Sequence, residues 1–223
     1  MQSLPVFWNH SRRARRLSLR VDPTRRGVVI TLPQGATRQQ GLTFLQTQTE
    51  WVLTALAGLP PPAGEGKRLP VDGKDRLVVS CPQARRGVWL EEDRVCVSGA
   101  PEHLERRLRD WLKERAARTL PARVRHHAGR HGFTPSTIVL RDVRSRWGSC
   151  TRQGRIMLSW RLVFAPPAIQ DYVILHELAH LHHFNHGKAF WDLVDQLLPG
   201  GPEARKQAEK WLKTHGAALL ATL

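Results

Sequence analysis

Two histidines four residues apart, inside an otherwise apolar run, constrain this chain more than any other feature. The run covers residues 172–181, and His176 and His180 interrupt it. Residues at this spacing lie on the same face of an α-helix, about one turn apart. A helix that buries the run also buries two imidazoles, and buried polar groups require partners. A shared metal ion, which neutral imidazole binds well, supplies that partner.

Glu177 follows the first of these histidines directly. Its carboxylate then lies beside the metal rather than on it, where it can act on a water molecule that the metal activates. Two histidine ligands and a general base in the pattern HExxH are typical of zincins, in which zinc catalyses hydrolysis. The pattern therefore predicts a helical zinc site with His176 and His180 as ligands and Glu177 as the base.

A third protein ligand is needed, because catalytic zinc is held by three protein side chains and keeps a fourth position open. His186 lies between Asn185 and Gly187, which both favour turns, so the chain can fold back there and present this imidazole. His182 and His183 lie too close along the helix to reach the same face. His186 is therefore the best third ligand. The alternatives are carboxylates further along the chain, namely Asp192, Asp195 and Glu203.

Several stretches of the chain resemble the YgjP-like metallopeptidase family, which is related to the SprT-like and WLM zinc proteases. These stretches are residues 146–150, 154–162, 171–180, 185–187 and 190–191. The resemblance is densest over residues 137–195 and looser over the N-terminal half. It implies one zinc ion held by His176, His180 and His186, with Glu177 as the base and a polypeptide as the substrate. Ser159 and Gly187 depart from residues that are frequent in the family, and neither is a proposed ligand.

The charge of the chain is strongly positive. It has 35 lysines and arginines against 19 acidic residues, which gives a formal net charge of +16. Such an excess favours contact with a polyanion. Most of the basic residues are arginines, in a chain that is also rich in Ala, Gly, Pro and Leu, and a GC-rich genome produces this composition. Nucleic acid, bound through a basic surface, is therefore a partner to be tested rather than one that the charge establishes.

Cysteine usage and hydropathy indicate the cellular compartment of the protein. No apolar run has membrane-spanning length, and the N-terminus lacks the apolar core and cleavage site of a secretory signal. Cys81, Cys96 and Cys150 are too widely spaced to form a disulfide framework. We therefore expect a cytoplasmic protein without a membrane partner. Cys150, inside the RWGSC stretch, is expected to be a small buried side chain.

Hydrophobic patterns predict an α+β fold, with a zincin-like core of helices packed on a small sheet and a β-rich half before it. The β-rich half covers residues 1–99. Its predicted elements are strands at 17–21 and 28–32 around a turn at 22–27, a helix to residue 57, a linker at 58–66 and a small antiparallel sheet. The zincin-like half covers residues 100–223. Its predicted elements are helices at 101–131, 166–184, 188–198 and 203–214, and strands at 137–141 and 155–162, the last with one buried face.

These observations favour a zinc-dependent metalloendopeptidase that hydrolyses peptide bonds with a zinc-activated water and Glu177 as general base. The strand near residues 155–161 could align an extended peptide by strand addition. Two alternatives stay open: a metal-dependent hydrolase of nucleotide phosphoanhydrides, and a basic nucleic-acid-associated module with structural zinc. Three histidines beside a glutamate argue against structural zinc, whose sites are closed and rich in cysteine. The candidates for a second donor to the oxyanion are Arg146, Tyr172 and His215.

Overall fold

The computed structural model describes residues 4–22, 27–58, 64–143 and 145–223. Within these ranges the chain has six α-helices and three small mixed sheets, which confirms the predicted α+β class. The chain divides into two compact units, Met1–Pro62 with Leu220–Leu223, and Ala63–Leu219. The predicted division into a β-rich and a zincin-like half at residue 99 stays a prediction.

The first unit is a three-stranded sheet with two helices. Its elements are β1 (Val6–Ser11), β2 (Ser18–Asp22), β3 (Gly27–Pro33), α1 (Arg38–Thr47) and α2 (Thr49–Ala57). The central strand β3 pairs in parallel with β1 and antiparallel with β2. Its fully buried residues Val28, Ile30 and Leu32 alternate along the strand, as expected for one face of a sheet, and Val52 of α2 packs with them.

Several details of this unit differ from the prediction. Strand β1 was not predicted, and the helix predicted up to residue 57 is two helices separated by Gln48. A turn and a linker were predicted at 22–27 and 58–66; residues 23–26 and 59–63 of these lie outside the described residues. The paired strands at 17–21 and 28–32 are confirmed by the antiparallel pairing of β2 and β3.

The second unit contains the other two sheets. The first of them comprises β4 (Arg68–Val71), β5 (Lys74–Cys81), β6 (Val88–Leu90) and β7 (Arg94–Ser98), in the order β4-β5-β7-β6. The prediction of an antiparallel sheet is wrong for one pair of strands. Strand β7 pairs antiparallel with β6 but parallel with β5. The second sheet comprises β8 (Thr137–Arg141), β9 (Gly148–Cys150) and β10 (Arg155–Ser159), in the order β8-β10-β9.

Strand β10 corrects a further prediction. It is the central strand of its sheet and ends at Ser159, and a short 3-10 helix, Trp160–Phe164, follows it. One buried face was predicted for residues 155–162, but alternate residues on the other face, Met157, Ser159 and Arg161, are buried too, Arg161 with an exposed fraction of 1%. Strand β10 is buried on both faces, and Arg161, in the 3-10 helix, is tolerated in a buried position because it pairs with Asp142 and stacks on the Trp160 ring at 4.6 Å.

Four helices complete the second unit: α3 (Leu104–His131), α4 (Pro167–Ala179), α5 (Lys188–Leu197) and α6 (Gly201–Ala221). The long helix α3 packs against α4. The Arg123 guanidinium donates to both carboxylate oxygens of Asp171 at 3.0 and 2.7 Å, and His127 Nε2 lies 2.7 Å from the same carboxylate. This paired, multidentate contact fixes the position of α4 on α3. None of the helices in the described ranges is long and apolar enough to cross a membrane.

Candidate metal centre and active site

Helix α4 carries the two histidines of the HExxH pattern at its C-terminal end. Pro166 and Pro167 begin the helix, where missing N–H donors cost nothing, and His180 occupies the C-cap position. The rings of His176 and His180 lie with centroids 5.0 Å apart, as their four-residue spacing predicts. The helix ends at Ala179 rather than near Phe184, because the amides of His182 and His183 turn back to the Ala179 carbonyl.

This early turn returns the chain toward α4 and brings the third histidine to the first two. His186 Nε2 lies 3.3 Å from His176 Nε2. One nitrogen from each of His176, His180 and His186 can be chosen so that all three lie within 4.8 Å of one another. Within the described residues this is the one such group of histidine, cysteine or carboxylate side chains.

The three imidazoles fit a metal ion. Two nitrogens that bind one zinc at about 2.0–2.1 Å lie at most about 4.2 Å apart; the His176–His186 pair, at 3.3 Å, satisfies this limit, and the bound of 4.8 Å for the whole group is within a small side-chain rotation of it. His180 Nδ1 donates to the His183 carbonyl at 2.9 Å, so that the lone pair of this ring is on Nε2. His176 Nδ1 is buried without a hydrogen-bond partner among the described residues. Three ring nitrogens, with few competing partners, form the donor set that zinc prefers.

The environment favours the neutral form of His176 and His180. Burial, together with the charges of His180 and His186, lowers the pKa of His176 to about 4. Burial also lowers the pKa of His180, although the bond to the His183 carbonyl acts in the opposite sense. A metal ion binds the unprotonated ring, so these shifts favour metal binding at neutral pH.

Phe190 of α5 supports all three imidazoles. Its fully buried ring lies with its centroid 4.9 Å from His176, 4.5 Å from His180 and 4.7 Å from His186. Trp191 adds a second aromatic surface, 5.8 Å from His176 and 5.6 Å from His186. Metal ligands in proteins are oriented by the groups packed behind them, and these two aromatic rings take that position here. The sequence placed residues 190–191 among the stretches that resemble the family, but it did not indicate that Phe190 contacts the histidines.

The other residues that were considered as ligands have different contacts. The His182 ring lies 5.2 Å from Phe133, and the His183 carbonyl accepts the bond from His180. Asp192 accepts from Lys188 Nζ at 2.6 Å, and Asp195 accepts from Arg205 Nε at 2.6 Å. Glu203 lies in the first turn of α6. None of these side chains belongs to the histidine group. The three carboxylates that the sequence left as alternative third ligands are therefore not part of it.

Glu177 lies beside the histidines in a buried position, with an exposed fraction of 6%. Burial raises its pKa to about 8, while the charge of Arg146 acts to lower it. Its Oε2 has no hydrogen-bond partner among the described residues. Strand β9 packs directly on this carboxyl, since a methyl group on Gly148 would lie 2.5 Å from Glu177 Oε1. In the sequence, the only sign of this contact is the glycine of the RWGSC stretch.

The three candidates for a second donor to the oxyanion have different contacts in the structure. The Tyr172 hydroxyl donates to Glu209 Oε1 at 3.3 Å, and His215 Nδ1 bonds the Trp211 carbonyl at 2.9 Å. Arg146 lines a cavity together with His176 and Glu177. Of the three, Arg146 is the group whose charge faces the site.

The site combines three convergent imidazoles with a buried carboxyl, and these side chains are characteristic of metallohydrolases. The YgjP-like family, described as a metallopeptidase domain, matches residues 15–215. The chain therefore belongs to the YgjP-like metallopeptidase family. The crystal structure of the metallopeptidase zymogen abylysin of Pyrococcus abyssi is similar at 24% identity with a TM-score of 0.39, and the similarity covers 43% of this chain and 93% of that chain. No curated protein matches the chain.

Proposed function

We propose that this member of the family is a zinc-dependent metalloendopeptidase, with one zinc ion held by His176, His180 and His186. The observation that carries the proposal is the convergence of these three imidazoles next to the buried carboxyl of Glu177. A polypeptide substrate is supported by membership of a metallopeptidase family. We also propose a zincin-like arrangement, in which His176 and His180 lie at the C-terminal end of α4, His186 follows in the segment before α5, and the sheet of β8, β9 and β10 lies beside α4.

Glu177 handles the proton in the proposed reaction. A zinc ion in this site would supply a Lewis acid that activates water and polarises the scissile carbonyl. The Glu177 carboxylate accepts a proton from the attacking water and passes it to the leaving amine, which departs as the C–N bond breaks. Burial favours this exchange, because a carboxyl with a raised pKa gives up its proton and regains it near neutral pH.

Strand β9 is the element on which an extended substrate can align. It is the end strand of its sheet, whereas β10, which the sequence suggested for this role, is paired on both sides. Trp147 O accepts from Ser159 N, and Thr151 N donates to Arg155 O, so the residues immediately before and after β9 form hydrogen-bonded pairs at the two ends of β10. Antiparallel strands alternate in this respect, and the N–H and C=O groups of Gly148 and Cys150 therefore point away from β10. A peptide added there would pass directly over Glu177.

The experiment described below also tests the two alternative functions. A hydrolase of nucleotide phosphoanhydrides would use the same metal site, and a nucleic-acid-associated module would use the metal only for structure. Contact with nucleic acid and a cytoplasmic location stay predictions.

The experiment compares wild type with Glu177→Gln on an unfolded protein and on nucleoside triphosphates, with zinc content measured in both proteins. We expect Glu177→Gln to keep its zinc and to lose proteolysis by about 10²- to 10⁴-fold, which is the usual contribution of a positioned acid or base. Release of phosphate or pyrophosphate that depends on Glu177, with the protein uncleaved, would overturn the peptidase assignment. Loss of zinc in the variant would instead make Glu177 a ligand.

A further inference from the structure

A cavity of about 290 Å³ opens beside Glu177 and His176. Its walls are mainly apolar and come from Trp147, Tyr172, Val173 and Leu212. Pockets for small molecules usually have volumes of about 300–1,000 Å³, so this cavity is at the small end of that range. It has the size for one amino-acid side chain rather than for a larger ligand.

Helix α6 makes one wall of the cavity rigid. A methyl group on Gly216 would lie 3.5 Å from the Trp147 ring, so this ring already packs at close range on the helix backbone. Leu212 precedes Gly216 by about one helical turn and lines the cavity on the same face. The indole is therefore held in place before a substrate binds.

The opposite wall comes from α4. Tyr172 directs its hydroxyl to Glu209, which leaves its ring as an apolar surface toward the cavity. Val173, the next residue, has an exposed fraction of 5%. The polar groups of the cavity are thus concentrated at the end where Glu177 and His176 lie, and at Arg146.

We propose that this cavity binds the side chain of the substrate residue next to the scissile bond and selects apolar side chains, with Trp147 and Leu212 as specificity-determining residues. The inference rests on the proposed function and deepens it. A peptide aligned on β9 passes Gly148, which lines the cavity and contacts Glu177. A side chain on the α4 side of that peptide then enters the space between Trp147 and Leu212.

The chemistry of the walls decides which side chains are accepted. Apolar side chains gain free energy when aromatic and aliphatic walls remove them from water. An acidic side chain would meet the carboxyl of Glu177, and a basic side chain would meet the guanidinium of Arg146. The Arg146 side chain is exposed, so solvent screens any attraction between it and an acidic substrate residue.

The test measures kcat/KM on a peptide series in which one residue, on either side of the scissile bond, is Gly, Ala, Leu, Phe, Asp or Lys. We expect Leu or Phe to exceed Gly, Ala, Asp and Lys by about tenfold or more at one of these positions, since each methylene in an apolar pocket is typically worth about 10- to 200-fold. Leu212→Trp fills the cavity and should remove this preference while cleavage next to Gly or Ala continues. Lys213→Trp, at an exposed position of α6, is the matched control and should keep the wild-type profile.

Leu212→Ala covers the case in which the larger side chain prevents folding, and it should shift the preference from Leu toward Phe. A wild-type profile that does not depend on the side chain, or one that both Leu212 variants leave unchanged, would overturn the inference.

A second readout separates this inference from the proposed function. Saturation-transfer NMR of wild-type protein should detect N-acetyl-leucinamide more strongly than N-acetyl-alaninamide, and Leu212→Trp should abolish the difference. Binding with this preference but without any peptide hydrolysis would retain the pocket and reject the peptidase function. Hydrolysis without the binding preference would reject the pocket alone.

Discussion

Gly148 of β9 and Glu177 of α4 are in direct contact. A methyl group on Gly148 would lie 2.5 Å from Glu177 Oε1 and 2.7 Å from Glu177 Cγ, closer than real side-chain atoms approach one another. The absence of a side chain at position 148 therefore leaves the space that the proposed base occupies. The strand on which a substrate would align also determines where the carboxyl lies.

The first prediction concerns this contact. Gly148→Ala should displace the Glu177 carboxyl and lower kcat by about tenfold or more, because small displacements of catalytic groups are costly. Zinc content should stay at the wild-type level, since none of the three histidines is involved in the clash. Steady-state kinetics and elemental analysis of the same protein preparation measure both quantities.

Gly129→Ala is the matched control for this substitution. Gly129 lies in α3, and a methyl group there would meet no atom within 4 Å. A helical Gly→Ala change of this kind usually stabilises a protein by about 0.4–1 kcal/mol. We expect unchanged kcat and a slightly higher melting temperature. Unchanged kcat in Gly148→Ala as well would show that the position of Glu177 does not depend on β9.

The second prediction concerns metal content. The protein should purify with about one zinc ion per chain. His176→Ala, His180→Ala and His186→Ala should each lower the zinc content sharply, as measured by elemental analysis. Each substitution removes one of three converging nitrogens.

The control variants are His182→Ala and His183→Ala, whose side chains lie outside the histidine group. Both should retain zinc. Full zinc content in His186→Ala would exclude it as the third ligand, and Asp192, Asp195 and Glu203 would then have to be tested in its place.

The third prediction concerns Arg146. Its guanidinium lines the cavity beside Glu177 and can stabilise the negative charge that develops on the carbonyl oxygen. Arg146→Ala should lower kcat by about 10²- to 10³-fold with little change in zinc content, which is the usual effect of removing one such donor. Added guanidinium ion should restore part of the rate, whereas sodium chloride at the same ionic strength should not.

Arg155→Ala, at an exposed arginine of β10, controls for the loss of positive charge alone. It should leave kcat unchanged and should show no response to guanidinium. A defect of Arg146→Ala in KM only would mean that this arginine binds the substrate without acting on the transition state.

The fourth prediction concerns Cys150 and pH. Burial, with the nearby charge of Glu177, raises the pKa of its thiol from 9.0 to about 11. The thiolate is the reactive form, so at pH 8 its population should fall about 100-fold for a shift of two pH units. Alkylation by iodoacetamide, followed by mass spectrometry, should be correspondingly slow and should accelerate as the pH rises toward 11. The structure leaves Cys150 half-buried, whereas the sequence suggested a buried side chain, and rapid alkylation at pH 8 would contradict the raised pKa of its thiol.

The candidate site was more predictable from sequence than the fold around it. His176, Glu177 and His180 lie within one helical segment, and helical periodicity alone defines which side chains share a face. His186 was placed by turn-forming neighbours, and the structure brings it to the other two histidines. Local geometry determines all of these relationships, so they can be read from spacing.

Relationships between distant segments were not accessible in this way. The burial of Met157 and Ser159 was not predicted, because alternation of residue types cannot show that both faces of a strand are covered, and Arg161 lies in a 3-10 helix rather than in the predicted strand. For the same reason the sequence suggested β10 rather than β9 for peptide alignment. The contact of Gly148 with Glu177 joins residues that are far apart in the chain, and a lone glycine does not indicate which residue it accommodates.

The position of β9 at the end of its sheet has a consequence for self-association. The unpaired edge of a strand beside the candidate active site is a template to which another copy of the chain could add a strand of its own. Long, flat edges of this kind promote aggregation. Strand β9 has only three residues, Gly148–Cys150, and one of them lacks a side chain. An edge this short offers few backbone groups and little side-chain surface to another folded molecule. A flexible peptide can still follow it into the site, so the brevity of the strand selects for unfolded chains and against copies of the protein itself.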